Sequence, residues 1–551
     1  VQVRRMGGGF GGKESQANAL AVACALMAEK TGKPCKMRYD RDDDMIITGK
    51  RHDFRIDYRV GFNQLGKIDG IEFEHFVRCG WSADLSIPVA DRAMLHSDNA
   101  YFLSDVKITS HRLLTNTQSA TAFRGFGGPQ GMVGIEQVVS HIAQYLKKDA
   151  LKVSELNFYK NPSKDQNNYQ TTPYHMPISD SIIRPLVKKL KLSADYDKRR
   201  QEVKNWNTKN KILKKGLALT PVKFGISFTL THLNQAGALV HIYQDGSIRI
   251  NHGGTEMGQG LFQKIAQVAA EEFSQPVENV KITATDTGKV PNTSATAASS
   301  GTDLNGMAVQ AACNKIKERL KSYLSKTHKV HISKISFTRG QILIGKKRET
   351  FKDVIKAAYA NRISLSATGF YATPDVKWDR IKGKGNPFYY FSYGAALTEV
   401  IIDTLTGENR ILRVDILHDV GNSINPAIDI GQIQGGYVQG AGWLTTEELV
   451  WDNKGNLKTH APSTYKIPAS SDRPRIFNTN LYKYKGNKKR TIYRSKAVGE
   501  PPFMLGISVL MALNDAIASI GIGNVPALLD APATPERILF AVQKQLGVSI
   551  K

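Results

Sequence analysis

The sequence predicts an α+β (mixed α/β) chain folded as two lobes, and three observations carry that expectation. At 551 residues the chain is longer than one hydrophobic core organises, since single cores stop growing at about 250–300 residues. Segments of strand period and segments of helix period both occur, without the regular alternation of a parallel βαβ sheet. A Lys-rich stretch, KKLKLSADYDKRRQEVKNWNTKNKILKKG from Lys188 to Gly216, separates the two groups. The expected organisation is a first lobe over 1–160, a connection over 161–216 and a second lobe over 217–551.

The chain opens on a glycine loop, RRMGGGFGGKESQ. Read from Gly7 it has the frame G-x-x-x-x-G-K of a P-loop, but Glu14 stands where the Mg²⁺-binding hydroxyl belongs. It also has the frame G-x-G-x-x-G, yet the acidic cluster YDRDDDM lies well over 20 residues beyond Gly12, too far for the ribose contact. What remains is a run of unobstructed backbone N–H groups beside a helix N-terminus, a place that favours anions. The helix itself, ESQANALAVACALMAEKTGKP, is Ala-rich and ends at Gly32 and Pro34. KPCKMRYDR and RIDYRVGFN alternate as half-buried strands do, and GIEQVVSHIAQYLKKD is amphipathic at helical spacing. In the second lobe, GALVHIYQDGSIRINHGG reads as a hairpin turning at Asp245-Gly246. A helix follows, with Val309, Ala312, Cys313, Ile316 and Leu320 stepping by three and four.

Charge and cysteine content narrow the function. The balance of 75 Lys+Arg against 49 Asp+Glu gives a net +26. No zinc finger or RRM signature accompanies it and aromatics are not interleaved for base stacking, so nucleic acid is not the expected partner. A solvated basic surface suits acidic partners or anionic substrates. Cys24, Cys35, Cys79 and Cys313 form no C-x-x-C, so neither zinc nor an iron–sulfur cluster is expected in these residues. The pattern suits a reducing compartment, hence a cytoplasmic location, and Cys24 and Cys313 read as helical core residues. ALAVACALMA is too short to cross a bilayer, which takes about 20 residues. YDRDDDM lacks the glycine and closing Glu of a calcium loop. The chain begins at Val1 inside a motif and reads as a piece of something longer.

Five segments repeat one theme, small residues around a polar one: the opening loop, AFRGFGGPQGM, HGGTEMGQGL, ATAASSGTDLNG and DIGQIQGGYVQGAGW. Together they describe a large polar ligand gripped by backbone N–H groups from both lobes. SKAVGEPPFML adds a carboxylate, Glu500, ahead of two prolines. The proline predicts an extended backbone at Glu500, and an acid set among apolar neighbours is suited to general-base work.

In order, GGGFGGKE, AFRGFGGPQ, GGTEMGQG, ATAASSGTD and AVGEPP resemble the molybdopterin-binding part of the xanthine dehydrogenase family. The likeness runs from Met6 to DAPATPERI, and is greatest to the large subunit of the bacterial split enzymes. It implies a two-lobed molybdenum-cofactor-binding domain whose metal is held by the pterin dithiolene, with no direct side-chain ligand. It implies cofactor contacts at Phe10, Gly11, Arg124, Gln259, Ala297, Ala298, Ser299 and Gln432. It further implies hydroxylation of hypoxanthine and xanthine to urate. Glu500 would be the base that activates a molybdenum-bound hydroxyl, with hydride passing to the sulfido group. Arg92 would stabilise charge on the heterocycle and Glu14 would bond the purine edge. Phe126 and Phe228 would sandwich the ring beside Thr229. Aldehyde oxidases generally carry apolar residues at the places of Glu14 and Arg92. Electrons would leave through an iron–sulfur and FAD partner to NAD, in a higher oligomer free of nucleic acid and membrane. The family also carries an upstream segment, with a glutamine near the metal, that these residues lack. Two alternatives stand beside this reading: an aldehyde or other N-heterocycle oxidase of the same family, and a cofactor-free anion-binding scaffold.

Overall fold

A computed structural model describes residues 1–161, 169–289, 293–521 and 526–548. A short strand, β1 (Gln2–Val3), leads into the glycine loop, and α1 (Asn18–Thr31) follows it. Gly32, at φ +64°, supplies the left-handed cap that ends the helix. The side chains of α1 are not core: none is buried, Val22, Leu26 and Met27 are exposed, and Cys24 is half-exposed. The strand expected at KPCKMRYDR is absent, for residues 34–40 have no regular structure. Asp40 instead caps α2 (Arg41–Ile47), accepting from the Asp43 N–H at 2.8 Å. Its acidic run lies at the positive end of that helix, where carboxylates are favourable.

The first lobe holds a three-stranded sheet in the order β2 (Phe54–Phe62), β3 (Ile68–Gly80), β4 (Val106–Leu114). β2 and β3 are antiparallel with Tyr58 opposite Phe73, whereas β3 and β4 are parallel. α3 (Ser86–Met94), α4 (Gly128–Tyr145) and α5 (Ala150–Asn157) complete the lobe. The Lys-rich stretch expected as a connection folds into α6 (Ile183–Ser193) and α7 (Tyr196–Lys209). Their apolar stripe, Ile183, Leu186, Val187, Leu190 and Val203, enters the same core as Phe73 of β3. Inward-facing Arg199 is matched by Glu399 at 3.0 Å and Asp415 at 2.8 Å. The lysines stay on the outer face, as the 3.6-residue period dictates.

A four-stranded sheet stands at the centre, in the order β18 (Ile476–Leu481), β17 (Asn409–His418), β16 (Tyr390–Asp403), β5 (Leu213–Ile226). β5 lies antiparallel to β16 with Tyr390 opposite Ile226. It carries Pro221 in its interior, and this is tolerated because β5 is an edge strand. A second four-stranded sheet runs β13 (Ser366–Ala372), β6 (Gln235–Ile242), β7 (Ile248–His252), β8 (Val280–Ile282). β6 and β7 form the expected hairpin, with Gly246 at φ +85°. Against this sheet pack α8 (Leu261–Phe273) and α9 (Gly301–His328), and the predicted stripe from Val309 to Leu320 is buried there.

One expected glycine loop is a helix. DIGQIQGGYVQGAGW lies within α10 (Pro426–Thr445). Its glycines serve close packing: a Cβ at Gly440 would stand 2.1 Å from the Phe503 carbonyl, and one at Gly436 2.7 Å from Pro502 Cβ. The partner is a 3₁₀ turn, Pro501–Gly506, continuing into α11 (Ile507–Ala518). That run is apolar and long enough to cross a membrane, yet 89% of it is buried in the protein.

Candidate active site

Loops from both lobes close on the carboxylate of Glu500. Its Oε1 accepts from the Gly125 N–H at 3.2 Å, and its Oε2 accepts from the Ser299 hydroxyl at 2.8 Å. The same hydroxyl accepts from the Glu500 N–H at 2.8 Å, so one serine grips both backbone and side chain. The backbone of Glu500 is not extended as its proline neighbour suggested. It lies at φ −91°, ψ −41°, in the cap position just before the 3₁₀ turn. The turn's own bond, from the Phe503 N–H to the Glu500 carbonyl at 2.9 Å, and the two to Ser299 outweigh the bias before proline. Ser299 and its neighbour Ala298 sit at φ +58° and +52°, a strained conformation for non-glycine residues. Strain of this kind collects at functional sites because the surroundings must impose it.

Arg124 ties the lobes together. Its Nε donates to the Gly499 carbonyl at 2.7 Å and its two terminal nitrogens donate to Gln439 and to the Gln432 carbonyl, each at 3.2 Å. Gln432 therefore contributes through its backbone. The Arg124 carbonyl in turn accepts from Arg51 at 2.9 Å, whose guanidinium is caged by the rings of Phe123, Trp443 and Phe503. Burial lowers the pKa of Arg124 to about 10 and that of Arg51 to about 9, with Glu500 opposing both shifts. Phe126 lies in the same turn at φ +52°.

Arg92, on α3, is buried. It donates to the Gly225 carbonyl at 2.5 Å and the Ser227 carbonyl at 3.0 Å, where β5 ends and Phe228 and Thr229 begin. Its guanidinium lies over Phe224 and Phe388 at 4.7 and 5.2 Å. Burial lowers its pKa as well, and Glu500 is the leading opposing charge, so these groups share one field.

The opening loop packs against the segment that leads into Arg124. A Cβ at Gly11 (φ +142°) would stand 2.2 Å from the Ala122 carbonyl, just before Arg124. The Met6 N–H donates to the Glu256 carbonyl at 2.9 Å, and the Thr255 N–H donates to the Thr296 hydroxyl at 2.8 Å. The first loop, the 254–260 loop and the 296–299 loop are thereby linked in series, with Ala297 half-buried among them. Phe10 is exposed and Gln259 spends its amide on its own loop, bonding the Met257 N–H and the Thr255 carbonyl. Glu14 Oε1 stands 3.6 Å from Lys13 Nζ. Arg51, in GKRHDF, has no local pattern to mark it, and Gln439 lies in the quoted segment DIGQIQGGYVQGAGW, from which only Gln432 was expected at the site.

A cofactor that approaches backbone leaves a testable trace. At Gly7, Gly258, Gly431 and Gly435 an added Cβ would meet nothing within 4 Å, although other glycines in the same segments are tightly packed. Arg92 Nε and Glu14 Oε2 are buried and meet no partner among the described residues. Open space beside bare backbone at these four glycines, and two buried polar atoms left unspent, fit a large polar ligand.

Comparison with known proteins agrees. A family model described as molybdopterin cofactor-binding domain matches residues 189–474, and a second of the same description matches residues 1–158. Xanthine dehydrogenase/oxidase from Mus musculus is 46% identical over 552 residues, covering 99% of this chain and 39% of the relative. Xanthine dehydrogenase from Oryza sativa subsp. japonica is 45% identical over 550 residues, covering 98% and 38%. This chain thus spans under two fifths of the length of these relatives. Quinoline 2-oxidoreductase from Pseudomonas putida 86 shares the fold, with a TM-score of 0.86 at 22% identity over 99% of this chain and 69% of that one. The chain belongs to the molybdopterin cofactor-binding domain family.

Proposed function

We propose that this chain is the molybdenum-cofactor-binding part of an oxidoreductase that hydroxylates purines, converting hypoxanthine and xanthine to urate, with Glu500 as the general base. The observation that carries the reading is the Glu500 carboxylate, clamped by Ser299 and Gly125 within the field of Arg92 and Arg124. A second support is 45–46% identity along nearly the whole chain to proteins named xanthine dehydrogenase.

When bound, the molybdenum cofactor supplies a two-electron redox centre. Phe10, Gly11, Arg124, Gln259, Ala297, Ala298, Ser299 and Gln432 would hold it, mostly through backbone beside open space. Each oxygen of Glu500 accepts one hydrogen bond and keeps lone-pair capacity, so the carboxylate takes a proton from the attacking oxygen without releasing its clamp. Arg92 offers its unspent Nε–H to negative charge developing on the heterocycle. Glu14 offers Oε2 to a purine N–H. Phe126 and Phe228 present ring faces to the substrate, with Thr229 alongside. An aldehyde satisfies neither Arg92 nor Glu14, and leaving such groups unpaired penalises the smaller substrate. Electrons pass to a partner polypeptide carrying iron–sulfur clusters and FAD, and on to NAD, in a cytoplasmic higher oligomer. The exposed apolar side chains of α1 offer surface to such a polypeptide.

The test uses the full-length holoenzyme with its partner. Arg92→Met should lower kcat/KM for xanthine about 100-fold or more, the magnitude of losing one preorganised charge-stabilising donor. Turnover of an aromatic aldehyde should change far less. Equal losses on both substrates, or a wild type that oxidises aldehydes but not purines, would overturn the purine assignment.

A further inference from the structure

We infer that His96 is the positioning residue that aims Arg92 for purine binding; the inference rests on the function proposed above. It starts from an edge strand with no neighbouring strand beyond it. Alternate residues of β5 point their backbone groups away from β16, and side chains from α3 and the turn after it take those groups in turn. Asn99 Nδ2 donates to the Pro221 carbonyl at 3.0 Å, and Asn99 Oδ1 accepts from the Lys223 N–H at 3.0 Å. His96 Nε2 accepts from the Gly225 N–H at 3.1 Å. Arg92 then takes the Gly225 and Ser227 carbonyls. Arg92, His96 and Asn99 stand in for the missing strand, satisfying an edge that is otherwise a liability.

His96 lies one turn after Arg92, and its Nδ1 is 3.0 Å from the Arg92 carbonyl. The Gly225 N–H can only donate, so Nε2 is the bare nitrogen and Nδ1 carries the proton it gives to Arg92. One neutral tautomer is thereby dictated by backbone on both sides. The groups facing the ring agree: burial, then Arg92, then Lys223 hold its pKa well below the ordinary value. The imidazole packs on Phe224 and Phe388 at 4.7 and 5.2 Å, the same rings that lie beneath the Arg92 guanidinium. Gly225 admits this arrangement because any Cβ there would stand 2.3 Å from the Phe388 ring. Removing the imidazole leaves the Gly225 N–H buried and unpaired, and it releases the two carbonyls that aim Arg92.

The experiment compares His96→Leu, His96→Asn and His96→Gln in the full-length holoenzyme with its partner. Asn keeps a polar group near the Arg92 carbonyl but does not reach Gly225, whereas the Gln amide oxygen does. Leu and Asn should each lower kcat/KM for xanthine by about 30–100-fold, while aromatic aldehyde turnover and molybdenum content stay within about 3-fold of wild type. Gln should recover most of the loss. Amide exchange in 223–228 should quicken by about 10-fold or more in the Leu and Asn variants, with β16 still protected. Should Leu fail to assemble, Asn and Gln carry the same comparison. Wild-type xanthine kinetics or unchanged exchange in His96→Asn, or equal losses on both substrates, would overturn the positioning role alone. A wild-type holoenzyme that does not oxidise purines would overturn the proposed function and this inference with it.

Discussion

Ser299→Ala removes the hydroxyl that touches Glu500 twice. A neutral hydrogen bond such as that from the Glu500 N–H contributes about 1 kcal/mol, and one to a charged carboxylate about 1.5–3 kcal/mol. About 3 kcal/mol of positioning is therefore at stake, or roughly two decades in rate at about 1.4 kcal/mol per decade. Gly125 still holds Oε1 in the variant, so the loss stops short of that seen on deleting the base. We expect kcat/KM to fall about 30–100-fold for purine and aldehyde alike, because the base serves every substrate. Ser299→Gly separates geometry from strain. It removes the same hydroxyl but relieves the left-handed backbone, worth about 1 kcal/mol, so it should melt higher than the Ala variant and turn over equally slowly. The assay reads kcat/KM per molybdenum, molybdenum per subunit and Tm. A Ser299→Ala enzyme with the wild-type rate per molybdenum would refute the clamp, and lost molybdenum with that rate intact would assign Ser299 to cofactor retention alone.

Other predictions follow from packing and burial. Gly440→Ala places a Cβ 2.1 Å from the Phe503 carbonyl and 3.3 Å from Gly506 Cα, both backbone atoms, so the turn bearing Glu500 must move. Stability should fall by about 1–3 kcal/mol with a parallel loss of turnover, read by Tm and steady-state kinetics. Gly431→Ala, in the same helix but facing open space, should leave Tm unchanged or raised, since Ala favours a helix by about 1 kcal/mol over Gly. Molybdenum content of that variant should drop if the pterin lies there. Glu136, buried on α4, accepts from Asn99 and Tyr101 at 2.8 Å each, and burial pushes its pKa up to about 8 from an ordinary 4.5. Between those values the folded protein holds a proton that the unfolded chain releases. Its contribution to stability is full below about pH 4.5 and lost as pH rises through about 8, with a limiting slope of about 1.4 kcal/mol per pH unit. Glu136→Gln should therefore gain Tm relative to wild type as pH rises from about 6 to 9, and a pH-independent difference would contradict the buried neutral acid.

The parts of the fold that could be read from sequence were those in which one local rule acts alone. The Gly32 cap, the Asp245-Gly246 hairpin and the Val309–Leu320 stripe follow from backbone freedom and periodicity, and they stand where expected. Errors arose where two rules compete. Alternation in KPCKMRYDR suggested a strand, but Asp40 and the acids after it favour a helix start. Glycines in the segment holding Gln432 suggested a loop, whereas Gly436 and Gly440 are there to let the 3₁₀ turn approach a helix closely. The proline after Glu500 suggested extended backbone, and bonds from a serine 201 residues away decided otherwise. The loops around the carboxylate were legible because small residues cluster in sequence. Arg51, Gln439 and His96 were not, since their roles depend on neighbours supplied by the tertiary fold, from Phe503 to Gly225.

We propose that Glu500, held between Gly125 of the first lobe and Ser299 of the second, moves the proton. Glu500→Gln in the full-length holoenzyme tests this, because the amide preserves shape, its oxygen still accepts from the Gly125 N–H and its nitrogen donates to the Ser299 hydroxyl, while basicity is lost. Turnover of every substrate should fall by about 100-fold or more, the ordinary contribution of a positioned general base, with molybdenum per subunit and Tm unchanged. A variant that keeps its cofactor and turns over xanthine at the wild-type rate would rule out Glu500 as the base.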